Sequence, residues 1–104
     1  MSFQKPDFKT QYGNYIGGEW LAPVDGEYFD NASPIDGSHL CRIPKSNHED
    51  IDLAVEAAHK AADAWGKTSA TERSNIMFKI AERFEENLEM LATVESWDNG
   101  KAIR

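Results

Sequence analysis

Hydrophobic and polar positions follow two different patterns along the chain, and the change comes near Lys45. The first 44 residues place short apolar runs between turn residues and hold all four prolines and five of the seven glycines. This pattern predicts short strands and turns. From Ser46 onward there is no proline, and apolar positions recur every three or four residues, which predicts helices. We therefore expect an α+β fold, with two short β-hairpins in a strand part (1–45) and three α-helices in a helical part (46–104).

Glycine marks the turns of both predicted hairpins. Gly17-Gly18 separates Asn14–Ile16 from Glu19–Leu21, and glycine adopts the positive φ angles that a two-residue turn requires. A second turn is predicted at Asp36-Gly37, a favoured turn pair between two apolar runs. Pro44 should end the last strand, because proline has no N–H to donate to a β-ladder.

Capping residues predict where the helices begin. Ser46 and Glu49 have the spacing of a capping box, in which each side chain bonds the backbone N–H of the other residue. Ser69 and Glu72 repeat this spacing at the start of the second helix. Asn87 is the predicted N-cap of the third helix, because its short polar side chain can accept a hydrogen bond from the first turn.

Each predicted helix carries one apolar stripe. The third helix should end at Asn99-Gly100, since both residues tolerate the left-handed conformation. The stripes consist of Ile51, Ala54, Val55, Ala58, Ala62 and Trp65 in the first helix, Ile76, Met77, Ile80, Ala81 and Phe84 in the second, and Leu88, Leu91, Ala92, Val94 and Trp97 in the third.

Charge and composition exclude several classes of partner. The 11 basic and 18 acidic residues give a formal net charge of −7 at pH 7, which argues against nucleic acid and against anionic membrane surfaces. No apolar run is long enough to span a bilayer, and the first residues lack the apolar core of a secretory signal. A single cysteine excludes an internal disulfide. We therefore expect a cytoplasmic protein with no nucleic-acid or membrane partner.

The residue types that carry chemistry do not form a recognised active site. Cys41 lies in an apolar, strand-like run, so we interpret it as a small core residue and not as a nucleophile. The spacing of His39, His48 and His59 matches no metal motif. Gly17-Gly18 lacks the order of a phosphate-binding loop and precedes a strand signal instead of a helix. We assign no catalytic residue from these patterns.

Five segments, taken in order and with their spacing, form a pattern that is more specific than any one of them alone. They are Tyr15-Ile16-Gly17-Gly18-Glu19-Trp20, Ser33-Pro34-Ile35-Asp36-Gly37, the stretch from Asp50-Ile51-Asp52 to Ala64-Trp65, Glu72-Arg73-Ser74-Asn75-Ile76, and Glu95-Ser96-Trp97-Asp98-Asn99-Gly100-Lys101. Together they resemble the N-terminal segment of an NAD(P)-dependent aldehyde dehydrogenase, from about Tyr12 to Arg104. The residues of these segments look most like those of bacterial members that act on acetaldehyde and similar short aliphatic aldehydes.

The resemblance implies that the chain is a fragment of the larger α/β aldehyde dehydrogenase fold. The implied reaction oxidises an aldehyde to a carboxylic acid: a cysteine thiolate attacks the carbonyl, hydride passes to NAD or NADP, and water releases the acyl group. The family's catalytic residues and its cofactor-binding lysine and glycines lie beyond Arg104. We therefore assign no catalytic and no cofactor-binding residue here, and we expect the chain alone to be inactive with no cofactor bound.

The resemblance also implies a structural site for a monovalent cation. In some family members the ligands include backbone oxygens just before an Asn-Pro turn and the aspartate of an Asp-Asn-Gly-Lys motif. The matching positions are Asn31, Ala32 and Asp98, although Ser33 stands where the family has asparagine. The alternative for Asp98 is a residue that ends a helix and bonds the local backbone.

Two functions remain open at this point. The first is an N-terminal scaffold segment, spanning 1–104, of an oxidoreductase whose substrate is a small aldehyde. Such a segment would expose apolar surface that its missing domains cover, so we expect a homo-oligomer. The alternative is a stand-alone acidic protein-interaction module without catalysis, with Trp20, Trp65 and Trp97 as candidate anchors.

Overall fold

The computed structural model describes residues 4–102. It contains four strands and three helices in the predicted order, so the expectation of two hairpins followed by three helices is confirmed. The elements are β1 (Asn14–Ile16), β2 (Glu19–Leu21), β3 (Tyr28–Ala32), β4 (His39–Pro44), α1 (His48–Gly66), α2 (Ala70–Glu86) and α3 (Leu88–Asn99).

The chain forms two compact units, and their bounds do not coincide with the strand part and the helical part. One compact unit, here called the hairpin unit, comprises Phe8–Ala32 and His39–Lys67 and contains all four strands with α1. The other, the helical unit, comprises Met1–Asp7, Ser33–Ser38 and Thr68–Arg104. It contains α2, α3 and the connection between β3 and β4.

The first hairpin turns on two glycines. β1 and β2 pair antiparallel, with Tyr15 opposite Trp20 and Gly17-Gly18 between the strands. The glycine φ angles are +61° and +83°, in the left-handed region that glycine enters without steric cost. The predicted turn is therefore confirmed. The rings of Tyr15 and Trp20 contact each other on one face of the hairpin, with centroids 4.9 Å apart, which is a stabilising cross-strand aromatic pair.

The second hairpin carries an irregularity at the end of its first strand. β3 and β4 pair antiparallel, and the register shifts between Asn31 and Ala32. β4 ends at Pro44 as predicted. Cys41 is opposite Asn31 and is buried, so the interpretation of this cysteine as a core residue is confirmed.

α1 begins one residue later than the sequence predicts. The Asn47 side chain accepts hydrogen bonds from the N–H groups of Glu49 and Asp50, and the Asp50 carboxylate accepts one from the Asn47 N–H at 2.9 Å. The predicted capping box of Ser46 and Glu49 is therefore wrong. Asp50, and not Glu49, is the second residue of the capping box. Its buried carboxylate also accepts a hydrogen bond from the Val24 N–H at 2.9 Å, whereas Glu49 is exposed to solvent.

The other two helices begin where the sequence predicts, but only the start of α2 has the predicted capping hydrogen bonds. Ser69 and Glu72 form the predicted capping box, with bonds of 3.1 and 3.2 Å. α3 begins after Asn87 as predicted, yet the Asn87 amide donates to the Arg83 carbonyl at 2.9 Å and so caps the end of α2 instead. α3 ends at the predicted Asn99-Gly100 pair, where the glycine has a φ of +82°.

Most of the predicted apolar stripes are not covered by other parts of the described chain. α2 has no buried residue, and α1 buries only Asp50. Leu53 and Ala57 of α1, instead of its predicted stripe, line a groove beside the first hairpin. α3 buries Trp97 together with Thr93 and Ser96. The exposed stripe residues include Ile51, Val55, Trp65, Ile76, Met77, Ile80, Phe84, Leu88 and Leu91.

An apolar stripe is buried only where another element covers it, so these stripes stay largely exposed within the described residues. Within residues 4–102, none of the helices has the length and apolar character needed to cross a membrane.

In the helical unit, a buried serine joins the turn at 33–38 to the end of α3. The Ser33 hydroxyl donates to the Trp97 carbonyl oxygen at 2.6 Å and accepts a hydrogen bond from the Ile35 N–H at 3.2 Å. The Trp97 carbonyl lies in the last turn of α3, where carbonyls lack a partner within the helix. Beside it the backbone approaches closely, since a Cβ at Gly100 would lie 3.2 Å from Pro34 Cγ.

The Ser33→Ala variant tests this contact. We expect it to lower the free energy of unfolding by about 1–2 kcal/mol, because the Trp97 carbonyl loses a buried donor. The measurement is urea denaturation followed by tryptophan fluorescence. The control Ser74→Ala, at an exposed position of α2, should change this free energy by less than about 0.5 kcal/mol. Equal losses in both variants, or no loss from Ser33→Ala, would contradict the assigned role.

Candidate functional site

The buried polar side chains of the described region all bond to backbone groups. The Ser33 hydroxyl bonds the Trp97 carbonyl, the Asp50 carboxylate accepts from the Val24 and Asn47 N–H groups, the Thr93 hydroxyl donates to the Glu89 carbonyl, and the Ser96 hydroxyl donates to the Lys101 carbonyl. A catalytic acid, base or nucleophile instead presents its polar atoms to a cleft. Ser33, Asp50 and Ser96 hold turns or helix ends, and Thr93 bonds a carbonyl within α3, so the contacts of all four are structural.

Cys41 does not have the surroundings of a reactive thiol. It is 4% exposed and lies inside β4. The nearest basic residue in sequence, Arg42, has its guanidinium over the Tyr28 ring, 5.2 Å from the centroid, and 3.9 Å from the Asp30 carboxylate. Because a nucleophilic thiolate needs solvent access and a nearby positive group, Cys41 is not a candidate nucleophile.

The histidines remain separate from one another. His39 Nδ1 lies 3.9 Å from the Asp30 carboxylate on the neighbouring strand. His48 is the first residue of α1, and His59 lies exposed further along the same helix. Residues 4–102 contain no group of three or more His, Cys, Asp or Glu side chains that could hold a metal ion.

The three residues expected to bind a cation fall in different compact units. Asn31 and Ala32 end β3 in the hairpin unit, at the register shift. Asp98 is the penultimate residue of α3 in the helical unit and is exposed. The cation site therefore stays a prediction.

One exposed carboxyl group has an altered pKa. The Ser38 hydroxyl and the Ser38 N–H, which lies 2.9 Å from the Asp36 carboxylate, hold the pKa of Asp36 below its ordinary value, and Lys5 adds a smaller attraction. A lowered pKa keeps this carboxyl ionised at neutral pH, so it cannot serve as a general acid there. Asp36 is therefore a turn residue that fixes its own loop.

An open groove of about 730 Å³ lies between the first hairpin and α1, within the hairpin unit. Its lining is mainly apolar and includes Leu21, Leu53 and Ala57. Glu56 and Lys60 also line it, and their charged atoms are 3.6 Å apart. Small-molecule sites combine apolar walls with several convergent polar groups. This groove offers only one exposed ion pair, so we do not assign it a catalytic role.

Sequence reasoning missed the polar contacts at the end of α3. Ser33 and Ser96 are small polar residues that hydrophobic periodicity does not mark as buried. One signal for Ser33 was its place directly before Pro34, where a side-chain hydroxyl can accept a bond from the turn backbone. No comparable signal was available for Ser96, since its partner is a carbonyl beyond the helix end.

Comparison with known proteins gives one consistent result. Residues 20–104 match the model of the aldehyde dehydrogenase family. An aldehyde dehydrogenase from Deinococcus radiodurans is 61% identical over 97 residues, which cover 93% of this chain and 19% of the relative. An acetaldehyde dehydrogenase from Pseudomonas aeruginosa is 62% identical over 97 residues, with the same coverage of 93% and 19%. The chain therefore spans about a fifth of the length of these curated relatives.

The three-dimensional comparison agrees with the sequence comparison. The crystal structure of an NAD-dependent aldehyde dehydrogenase from Sinorhizobium meliloti superimposes with a TM-score of 0.80 and 34% identity, covering 88% of this chain and 19% of that one. The two hairpins and three helices thus match part of a larger solved fold. Because both the family model and the relatives cover most of its residues, the chain belongs to the aldehyde dehydrogenase family.

Proposed function

We propose that the chain is the N-terminal scaffold segment of an oxidoreductase that oxidises aldehydes to carboxylic acids with NAD or NADP. Membership of the aldehyde dehydrogenase family supports the reaction class. The substrate class rests on the acetaldehyde dehydrogenase that is 62% identical to this chain. The single cysteine fits a reducing compartment and so supports a cytoplasmic location.

The observation that carries the scaffold role is the exposed apolar face of α2. Ile76, Ile80 and Phe84 recur every four residues on this helix, and none of them is buried. An apolar face of this kind on a folded protein is normally covered by another surface. The relatives extend well beyond the matched segment, which is 19% of their length. In this proposal the rest of such a polypeptide covers the face.

Gly17-Gly18 does not have the geometry of a phosphate cradle, so we assign no cofactor-dependent step to it. A phosphate cradle needs glycines between a strand and a helix N-terminus, where backbone N–H groups converge. Gly17-Gly18 instead joins β1 to β2, and a Cβ at Gly18 would meet nothing within 4 Å. Within the proposal, the cofactor and the reacting aldehyde bind to parts of the enzyme outside this segment.

The second candidate function is an acidic protein-interaction module, which the exposure of two tryptophans favours. Trp20 is 66% exposed and Trp65 is 48% exposed, so both could anchor a partner. Trp97 is buried and cannot do so. The mass of the native gene product separates the two candidates. A product of about full-length aldehyde dehydrogenase size supports the scaffold, and a product of 11.7 kDa supports the module.

The scaffold proposal predicts that the 104-residue chain has no dehydrogenase activity. Mixed with acetaldehyde and NAD or NADP, it should produce no absorbance of reduced cofactor, because its only thiol is buried in β4. The full-length Pseudomonas aeruginosa enzyme is the positive control. Aldehyde-dependent reduction that the Cys41→Ala variant abolishes would overturn the proposal.

We also propose that the isolated chain forms a homo-oligomer through the exposed face of α2. Light scattering should give a mass above the 11.7 kDa monomer. Ile80→Glu should raise the dissociation constant about tenfold or more, because an apolar interface disfavours a buried carboxylate. Lys79→Glu, at the adjacent exposed position, is the matched control and should leave the dissociation constant nearly unchanged. A strictly monomeric chain at high concentration would rule out this oligomer.

The cation site is a further proposal that rests on the family resemblance. Backbone oxygens and a carboxylate are suitable ligands for a monovalent cation, and the register shift between Asn31 and Ala32 interrupts the regular ladder there. We expect potassium or sodium chloride to raise the thermal unfolding midpoint above that in choline chloride of equal ionic strength. Asp98→Asn should abolish this cation-specific gain, whereas Asp52→Asn should keep it. The same midpoint in all three salts would refute the site.

A further inference from the structure

The chemically labile dipeptide Asn99-Gly100 lies at the end of α3, and both of its residues make hydrogen bonds there. Asn99 is exposed, and its side-chain oxygen accepts a hydrogen bond from the Lys101 N–H at 2.7 Å. The Gly100 N–H donates to the Ser96 carbonyl at 2.8 Å, and Gly100 has a φ of +82°. An asparagine directly before glycine is open to attack by the following backbone nitrogen, because glycine has no side chain to block the approach.

We propose that Asn99 is a hydrolytic modification site whose reaction is gated by the last turn of α3. The Gly100 nitrogen gives its proton to a solvent base and forms a bond to Asn99 Cγ. The Cγ–Nδ2 bond then breaks, and ammonia leaves with a proton taken from water. Water opens the resulting succinimide to aspartate or isoaspartate. The reaction is a hydrolysis, so it needs no oxidant or reductant.

Two of these hydrogen bonds act in opposite directions on the reaction. The bond from Gly100 to the Ser96 carbonyl engages the attacking nitrogen and keeps Asn99 in helical geometry. The bond from Lys101 polarises the side-chain carbonyl and would stabilise the oxyanion that forms during attack. The Ser96 hydroxyl donates to the Lys101 carbonyl and helps to hold this residue in place. Opening the last turn therefore frees the nitrogen next to an amide that is already polarised.

The same chain contains internal controls for this site. Every other asparagine precedes a residue with a side chain, which hinders ring closure, and these asparagines are Asn14, Asn31, Asn47, Asn75 and Asn87. Conversion should therefore begin at Asn99. This inference does not depend on the proposed enzyme function.

The modification would act on the contact between the turn at 33–38 and α3. Isoaspartate inserts a methylene group into the main chain and adds a negative charge. The altered backbone would lie next to Gly100, where a Cβ atom would already be 3.2 Å from Pro34 Cγ. The bond from Ser33 to Trp97 lies in the same turn of α3. We therefore expect the modified chain to hold this turn less tightly.

The test compares conversion of Asn99 in the folded and the urea-unfolded chain at mildly alkaline pH, followed by peptide mapping with mass spectrometry. Folding should slow the conversion about tenfold or more, because the reactive geometry requires local opening. Equal rates in the two states, or earlier conversion of another asparagine, would overturn the proposal.

A variant pair tests the gate directly. Ser33→Ala removes a hydrogen bond to the last turn of α3 and should speed conversion in the folded chain about five- to thirty-fold, up to the rate of the unfolded chain. Ser74→Ala on α2 should not change it. In urea both variants should react at the rate of the unaltered chain, since the sequence around Asn99 is the same. A Ser33→Ala rate equal to that of Ser74→Ala in the folded state would contradict the gate.

Discussion

The hydrogen bond from the Ser33 hydroxyl to the Trp97 carbonyl is the contact on which the helical unit most depends. The buried apolar side chains of the described region are few, namely Pro23, Leu40, Cys41 and Trp97, so hydrophobic burial within this segment is small. Where burial is small, satisfied polar groups at turns and helix ends decide which conformation forms. Ser33 does this for the turn at 33–38 and for the end of α3 at once.

The parts of the fold that the sequence predicted well are those decided by local chemistry. The first hairpin followed from Gly17-Gly18, because a two-residue turn needs positive φ angles that glycine alone adopts freely. The start of α2 followed from Ser69 and Glu72, whose capping box involves only neighbouring residues. The start of α1 was predicted one residue early because Asp50 is held by the Val24 N–H, a contact between distant residues that no local pattern reveals.

Burial could not be predicted in the same way, because it depends on surfaces outside each helix. Ala57 of α1, outside the predicted stripe, is half-buried beside the first hairpin, while Ile51 and Val55 of the stripe are exposed. The candidate site shows the same limit. Cys41 could be assigned to the core from its apolar neighbours alone. The cation ligands came only from the family resemblance, since no spacing rule marks a backbone oxygen as a ligand.

Catalysis and scaffolding make opposite demands on buried polar groups. A catalytic group must keep a polar atom available for substrate, and its environment shifts its proton affinity to suit the reaction. The buried polar groups of this segment bond to main-chain atoms, as Asp50 does at the start of α1 and Ser96 does at the end of α3. These contacts stabilise the two helix ends by engaging the side-chain oxygens with the main chain. On the proposal that this segment is a scaffold, its contribution is surface, and the exposed apolar face of α2 is the surface that another part of the polypeptide would cover.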